Sequence, residues 1–306
     1  MSVKKAIVTI AIGDSYIAEF ENYVRSGWQQ YCNRHGYDLF VLTELIDKNV
    51  DLDKKSLHWQ KLIIGLIPDL KEYDYLVWMD TDIIINYNTA PCIVSEVESD
   101  KIGIPLIDHT ITPRDNAGKR LGLFTANFRN QLTPKGRHFR AQHIDERGRE
   151  VPFLPQQSDP KSFINTGVFV FQPKLHNEFL SGVYLSHDED AADGSFEQTP
   201  FSEALEKNDM IEDIDSRFNN IWSLYAATHY PFLFDHALMA TQKEIAEKCV
   251  NVYFQNNFFC HFAGTRSHAV TKNLMDSVQQ NAQHILQVLD PDAWEKRDSI
   301  FPDHIF

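Results

Sequence analysis

The stretch DYLVWMDTDIIINYNTA, residues 74–90, constrains the fold of this chain more than any other. Tyr75 to Met79 form an apolar run of strand length, which ends on two carboxylates, Asp80 and Asp82, before more isoleucine. Side chains at i and i+2 of an extended segment point to the same side, so the pair converges at the mouth of a buried sheet. Two partly desolvated anions in that position repel and raise each other's pKa unless a cation lies between them. Hard oxygen ligands suit manganese or magnesium. The plainer reading makes Asp80 and Asp82 turn and cap residues at a strand end, which is all a bare D-x-D requires.

Around this strand the sequence predicts an α/β domain. Ala6 to Ile12 reads as a buried strand; Gly13, Asp14 and Ser15 then turn into a helix with Ile17, Phe20, Val24, Trp28 and Tyr31 on one face. Gly36 stops that helix and Tyr37 to Leu42 supplies the next strand, a β-α-β unit that implies parallel pairing. Ligands of such sheets bind at the carboxyl ends of the strands, which places Thr9, Ile10, Ala11 and Asp14 near a base or ribose. No G-x-G-x-x-G or P-loop is present, so neither a dinucleotide nor an NTPase reading has support.

Residues 58–70, HWQKLIIGLIPDL, read as a helix leading into the Asp80 strand. Lys61 lies one turn in, where an ammonium could reach a phosphate or hold the acidic centre; taken alone it reads as an exposed helix residue. Lys101 to Asp108 is another strand. FINTGVFVFQP, residues 163–173, is a strand preceded by Asn165, Thr166 and Gly167, where Asn165 offers donor and acceptor groups and Gly167 permits close backbone approach. Further helices are expected from Lys174 and from near Phe196, the latter carrying Glu197 and Gln198, with a strand at Met210 to Asp215. The run NVYFQNNFFCHFAGTRSH, from Asn251, carries strand-like residues to His261.

Composition narrows the function classes. With 306 residues, 43% of them hydrophobic, a sizeable core can form, and the net charge of -14 argues against nucleic acid or an anionic membrane as partner. Residues 109–161 are the exception, a basic, loop-rich insertion suited to an anionic sugar, a phosphate or a lipid diphosphate, or to plain solvation. No stretch approaches the roughly 18 apolar residues of a membrane span. Four scattered cysteines without C-x-x-C spacing, and an N-terminal apolar run that ends at Asp14 and reads as a strand, lead to the expectation of a cytoplasmic protein, at most peripheral to a membrane.

The order of these signals resembles the retaining GT-A glycosyltransferases. The nearest likeness is to the galactosyl- and mannosyltransferases of the yeast Golgi type and to the glycogenin and lipopolysaccharide galactosyltransferase group. The residues that carry it are HWQK at 58–61, WMDTD at 78–82, NTGVF at 165–169, EQ at 197–198, DSRFN at 215–219 and HFAG at 261–264. The resemblance implies a single GT-A, Rossmann-like domain over 1–306, with a mostly parallel central sheet, flanking helices and a C-terminal helical segment at 271–306. It implies Mn2+ (or Mg2+) held by Asp80, Asp82 and His261, and a nucleotide-diphosphate sugar contacted by Thr9, Ala11, Asp14, Lys61, Asp80, Thr81, Asn165, Gly264 and Arg266. UDP-hexose is the first donor expected and GDP-mannose the second, with an oligosaccharide, polysaccharide or glycolipid as acceptor. The catalytic candidates are Gln198, which would lie near the face of the anomeric carbon opposite the leaving group, and Glu197, which stands where the family usually has Asp, a change that leaves open which of the two faces the sugar; Arg266 stands where the family more often has Lys. Two rivals remain: a phosphatase of the haloacid dehalogenase type, which also places D-x-D after an apolar strand, and a nucleotide-sugar or glycan-binding protein without turnover.

Overall fold

In the computed structural model the described residues are 3–108, 162–191, 195–234 and 243–263. The insertion at 109–161, the C-terminal segment at 271–306, and Gly264 and Arg266 lie outside them.

The chain folds as α/β around a seven-stranded sheet of order β2-β1-β3-β7-β5-β6, with β8 on β5. β1 (Lys5–Ile10) and β2 (Tyr37–Leu42) pair in parallel over their full length, from Lys5 against Tyr37 to Ile10 against Leu42. Between them run α1 (Asp14–Glu19), a π turn at Phe20–Val24 and α2 (Arg25–His35), which ends on Gly36 in the left-handed region at φ 71°. β3 (Tyr75–Met79) lies parallel to β1 on its other side. β5 (Ile102–Asp108) pairs with β8 (Ile211–Ile214) in parallel, and β7 (Val168–Phe171) joins the halves antiparallel to both β3 and β5. β6 (Ser162–Ile164) closes the edge, antiparallel to β5.

A second sheet of three short strands lies beside the Asp80–Asp82 pair. β4 (Ile83–Ile85) follows the Asp80–Asp82 turn, and β10 (Phe259–His261) pairs with it antiparallel and with β9 (Asn220–Ile221) in parallel.

Apolar layers cover both faces of the main sheet. One packs Trp59, Ile64, Trp78, Phe169, Phe171 and Phe201 beneath a 3-10 helix at Leu57–Leu66, α3 (Pro173–Leu185) and α4 (Gln198–Lys207). The other packs Phe20, Trp28, Tyr31, Val77 and Phe259 beneath α1 and α2. A smaller cluster, Ile84, Val250, Tyr253, Cys260 and Phe262, lies under α5 (Trp222–His229) and α6 (Lys243–Asn256).

Two sequence expectations need correction. The segment at 58–70 is a 3-10 helix ending at Leu66, where Ile67 turns extended (φ -63°, ψ 126°) because Pro68 disfavours helical backbone in the residue before it. Residues 251–256 finish α6 instead of starting a strand: Val250 and Tyr253, three apart, share its buried face, and extended backbone begins only at Phe259.

Candidate metal and donor site

β3 delivers Asp80 to the carboxyl edge of the main sheet. Its indole neighbour Trp78 donates Nε1–H to Asp80 Oδ1 at 2.8 Å, and the Asp80 amide donates to Gly167 O at 2.9 Å, tying the turn to the loop before β7. Asp82 opens β4, where its carbonyl accepts the Phe262 amide at 3.0 Å. The β4–β10 register sets Ile83 against His261, so the imidazole returns beside the Asp80–Asp82 turn from a strand near the other end of the chain.

Ligand atoms of Asp80, Asp82 and His261 all lie within 4.8 Å of one another. His261 Nε2 is 3.2 Å from Asp82 Oδ1. Burial alone would lower the His261 pKa, yet Asp82 and then Asp80 outweigh it and raise it above the ordinary histidine value. Two hard carboxylates and one imidazole form a donor set that manganese accepts. Gly167 makes room for it: a Cβ there would stand 2.4 Å from His261 Cε1 and 2.8 Å from Asn165 Oδ1.

Lys61 is 2% exposed, against the solvent-facing position expected of an isolated helix lysine. With three residues per 3-10 turn, His58 and Lys61 share an edge. Lys61 Nζ reaches Glu197 Oε1 at 2.8 Å, Asp80 Oδ1 at 3.3 Å and Thr166 O at 3.3 Å. Burial works against its charge, but Asp80 and Glu197 outweigh that and hold its pKa above the usual lysine value. Glu197 is pushed the other way: burial raises its pKa, while Lys61, then His58, and the hydroxyl of Thr166 at 2.7 Å bring it below the ordinary glutamate value. Lys61 therefore balances Glu197 and part of Asp80, while His261 faces Asp82.

The remaining expected residues fall in two groups. Asn165 joins the centre: its Oδ1 accepts the Gly167 amide at 3.0 Å and its Nδ2 donates to Gln198 Oε1 at 3.1 Å, at the start of α4. Thr81 lies half-buried in the turn between the two aspartates. Thr9 and Ala11 are buried at the end of β1, where the Ala11 amide is taken up by Leu42 O at 2.8 Å, and Asp14 is exposed at the start of α1. Sequence reasoning gave no role to Asn219, which is 0% exposed and bonds to both His261 and Asn165. Its signal was its place in DSRFN, immediately before β9.

The acidic run EDID at 212–215, a poor match to the later acidic pair of a haloacid dehalogenase-type phosphatase, is engaged in local contacts. Glu212 accepts the amides of Glu98 and Ser99, Asp213 accepts the Leu106 amide, and Asp215 pairs with Arg217.

No protein-family model and no curated protein matches the sequence. Solved structures with a related course of chain include a glycosyltransferase involved in the glycosylation of the major capsid of PBCV-1, at 14% identity and TM-score 0.48, spanning 88% of this chain and 98% of that one. Mouse xyloside xylosyltransferase 1 aligns at 11% identity and TM-score 0.40 over 85% of this chain and 98% of its own. The galactosyltransferase LgtC, solved with donor and acceptor sugar analogs, aligns at 12% identity and TM-score 0.40 over 94% and 99%.

Proposed function

We propose that this chain is a metal-dependent glycosyltransferase, a single GT-A domain that moves a hexose from a nucleotide-diphosphate sugar to a glycan hydroxyl with retention of configuration. The observation that carries this reading is the convergence of Asp80, Asp82 and His261 within 4.8 Å beside the buried Lys61. A divalent ion bound there supplies Lewis-acid stabilisation of a diphosphate leaving group.

The chain's own residues do the rest. Lys61 fixes the Asp80 carboxylate and sets a permanent positive charge beside the place where the leaving oxygen gains negative charge. Gln198 Oε1 has one lone pair engaged by Asn165; the other is available to an anomeric carbon that becomes oxocarbenium-like. The acceptor hydroxyl attacks from the departing side, and its proton passes to a phosphate oxygen. A double displacement would need Glu197 as nucleophile. Since Glu197 Oε1 is held by Lys61 and Thr166, we assign it to charge balance. UDP-hexose is the preferred donor and GDP-mannose the second, with an oligosaccharide, polysaccharide or glycolipid acceptor in a cytoplasmic setting.

The test is a thermal shift of the purified protein with UDP, GDP, CMP and ADP, each with and without Mn2+. The expected result is stabilisation by one nucleoside diphosphate that requires Mn2+, by about 2.7 kcal/mol at a hundredfold excess over Kd. No shift with any nucleotide in either condition would overturn the reading and return attention to phosphatase and glycan-binding assays.

A further inference from the structure

We propose that Asn219 is a positioning residue which fixes the His261 ring for metal binding through its side-chain oxygen and the sugar-facing Asn165 through its side-chain nitrogen. The inference rests on the functional reading above.

The hydrogen-bond polarities around Asn219 admit one assignment. Its Nδ2 lies 3.0 Å from the main-chain oxygen of Asn165 and 3.1 Å from Asn165 Oδ1. The first is an acceptor by its chemistry. The second already accepts the Gly167 amide at 3.0 Å, so it is the amide oxygen as well. Reversing the Asn219 amide would set its oxygen against both, and at 0% exposure no water relieves that repulsion. Asn219 Oδ1 therefore faces His261 Nδ1, 2.7 Å away, and the ring must donate from Nδ1. Nε2 is the nitrogen left to face Asp82 and a metal, as in sites where a second hydrogen bond orders a ligating imidazole.

The same polarity runs on to the catalytic side. With its oxygen held by Gly167 and Asn219, Asn165 can only present Nδ2 to Gln198, whose Oε1 accepts at 3.1 Å. One buried amide thus sets both the ligating nitrogen of His261 and the orientation of Asn165 beneath Gln198. An aspartate at 219 would keep the first function, since a carboxylate accepts from Nδ1. It would lose the second, since it cannot donate to Asn165.

The experiment compares the wild type with Asn219→Asp and Asn219→Leu. Mn2+ affinity is read by electron paramagnetic resonance of the free ion, and thermal shifts are recorded with UDP, UDP-galactose, UDP-glucose and GDP-mannose. Nitrogen-15 spectra of the histidine rings in the metal-free protein report which nitrogen of His261 carries the fixed proton. The expected result for Asn219→Leu is Mn2+ binding weakened about 10- to 100-fold. For Asn219→Asp, Mn2+ affinity should stay within about threefold of wild type, while the extra stabilisation by a nucleotide sugar over its nucleoside diphosphate is lost. The wild-type spectrum should show His261 protonated at Nδ1. Wild-type Mn2+ affinity in both variants, or a loss in Asn219→Asp as large as in Asn219→Leu, or a ring protonated at Nε2 alone, would overturn the inference while leaving the metal site standing. A wild type that binds no Mn2+ would instead overturn the functional reading and this inference with it. Should either variant fail to fold, the wild-type spectrum, which needs no substitution, still decides.

Discussion

Lys61 shows how far a single residue can depart from what its type suggests. Lysine on a helix is normally solvated, yet here it is enclosed between Asp80 and Glu197. Removing one partner of such a pair leaves the other as a buried uncompensated charge, so Lys61→Met and Glu197→Gln should each cost about 3–5 kcal/mol. The double substitution should cost clearly less than the two combined, and urea titrations of the four proteins check this. The pH dependence has a defined sign. Because the folded pKa of Glu197 is depressed, its contribution is complete above the ordinary glutamate value of about 4.3 and is lost as pH falls through the lower folded value. Glu197→Gln should remove that acid limb from the stability profile. Asp80 and Asp82 were legible in the sequence because i and i+2 spacing in a strand is a periodic signal. The bonds of Asn219 to His261 and of Thr166 to Glu197 were not, since hydrogen bonds between distant positions leave no periodicity behind.

At the level of elements, the loop between β6 and β7 brings the candidate site residues together, and its tolerance can be probed at Gly167. A Cβ there meets the His261 ring and the Asn165 amide at distances that require something to move. Gly167→Ala should therefore lower stability by about 1–3 kcal/mol and weaken Mn2+ binding together. Gly182 in α3 has open space where a Cβ would go, and Gly182→Ala should raise stability by about 0.5–1 kcal/mol without changing Mn2+ binding. Melting curves and manganese titrations of the two variants separate the cases. Most elements were readable: Tyr37–Leu42, the left-handed stop at Gly36 and the strand before Asp80 follow from burial pattern and turn chemistry. The 3-10 form of Leu57–Leu66 was not, because Trp59 to Gly65 are buried without interruption and such a run has no periodicity to distinguish one helix from another.

For the whole molecule, thiol chemistry offers a readout of integrity. Cys32 and Cys249 are buried and pushed up to about 12 and about 11, and Cys260 rises further in the same direction, all by burial. Cys92 goes the other way: burial raises it, but Tyr37, Ser95 and the Lys5 ammonium at 3.0 Å bring it below the usual thiol value. Iodoacetamide at neutral pH should label Cys92 alone in the folded protein and the other three only on unfolding, as peptide mass mapping would show. The layered α/β arrangement was legible because each layer repeats a local pattern; the small β4–β10–β9 sheet was not, since it joins segments far apart in sequence. That sheet bears on the life of the protein as well as on its chemistry. A cation held by Asp82 and His261 would act as a removable cross-link, tethering the first third of the chain to the last described strand. Because such an ion binds the folded chain and not the unfolded one, removing it would forfeit that part of the folded state's stability. Scarcity of metal would then shorten the lifetime of the folded molecule even when no substrate is present.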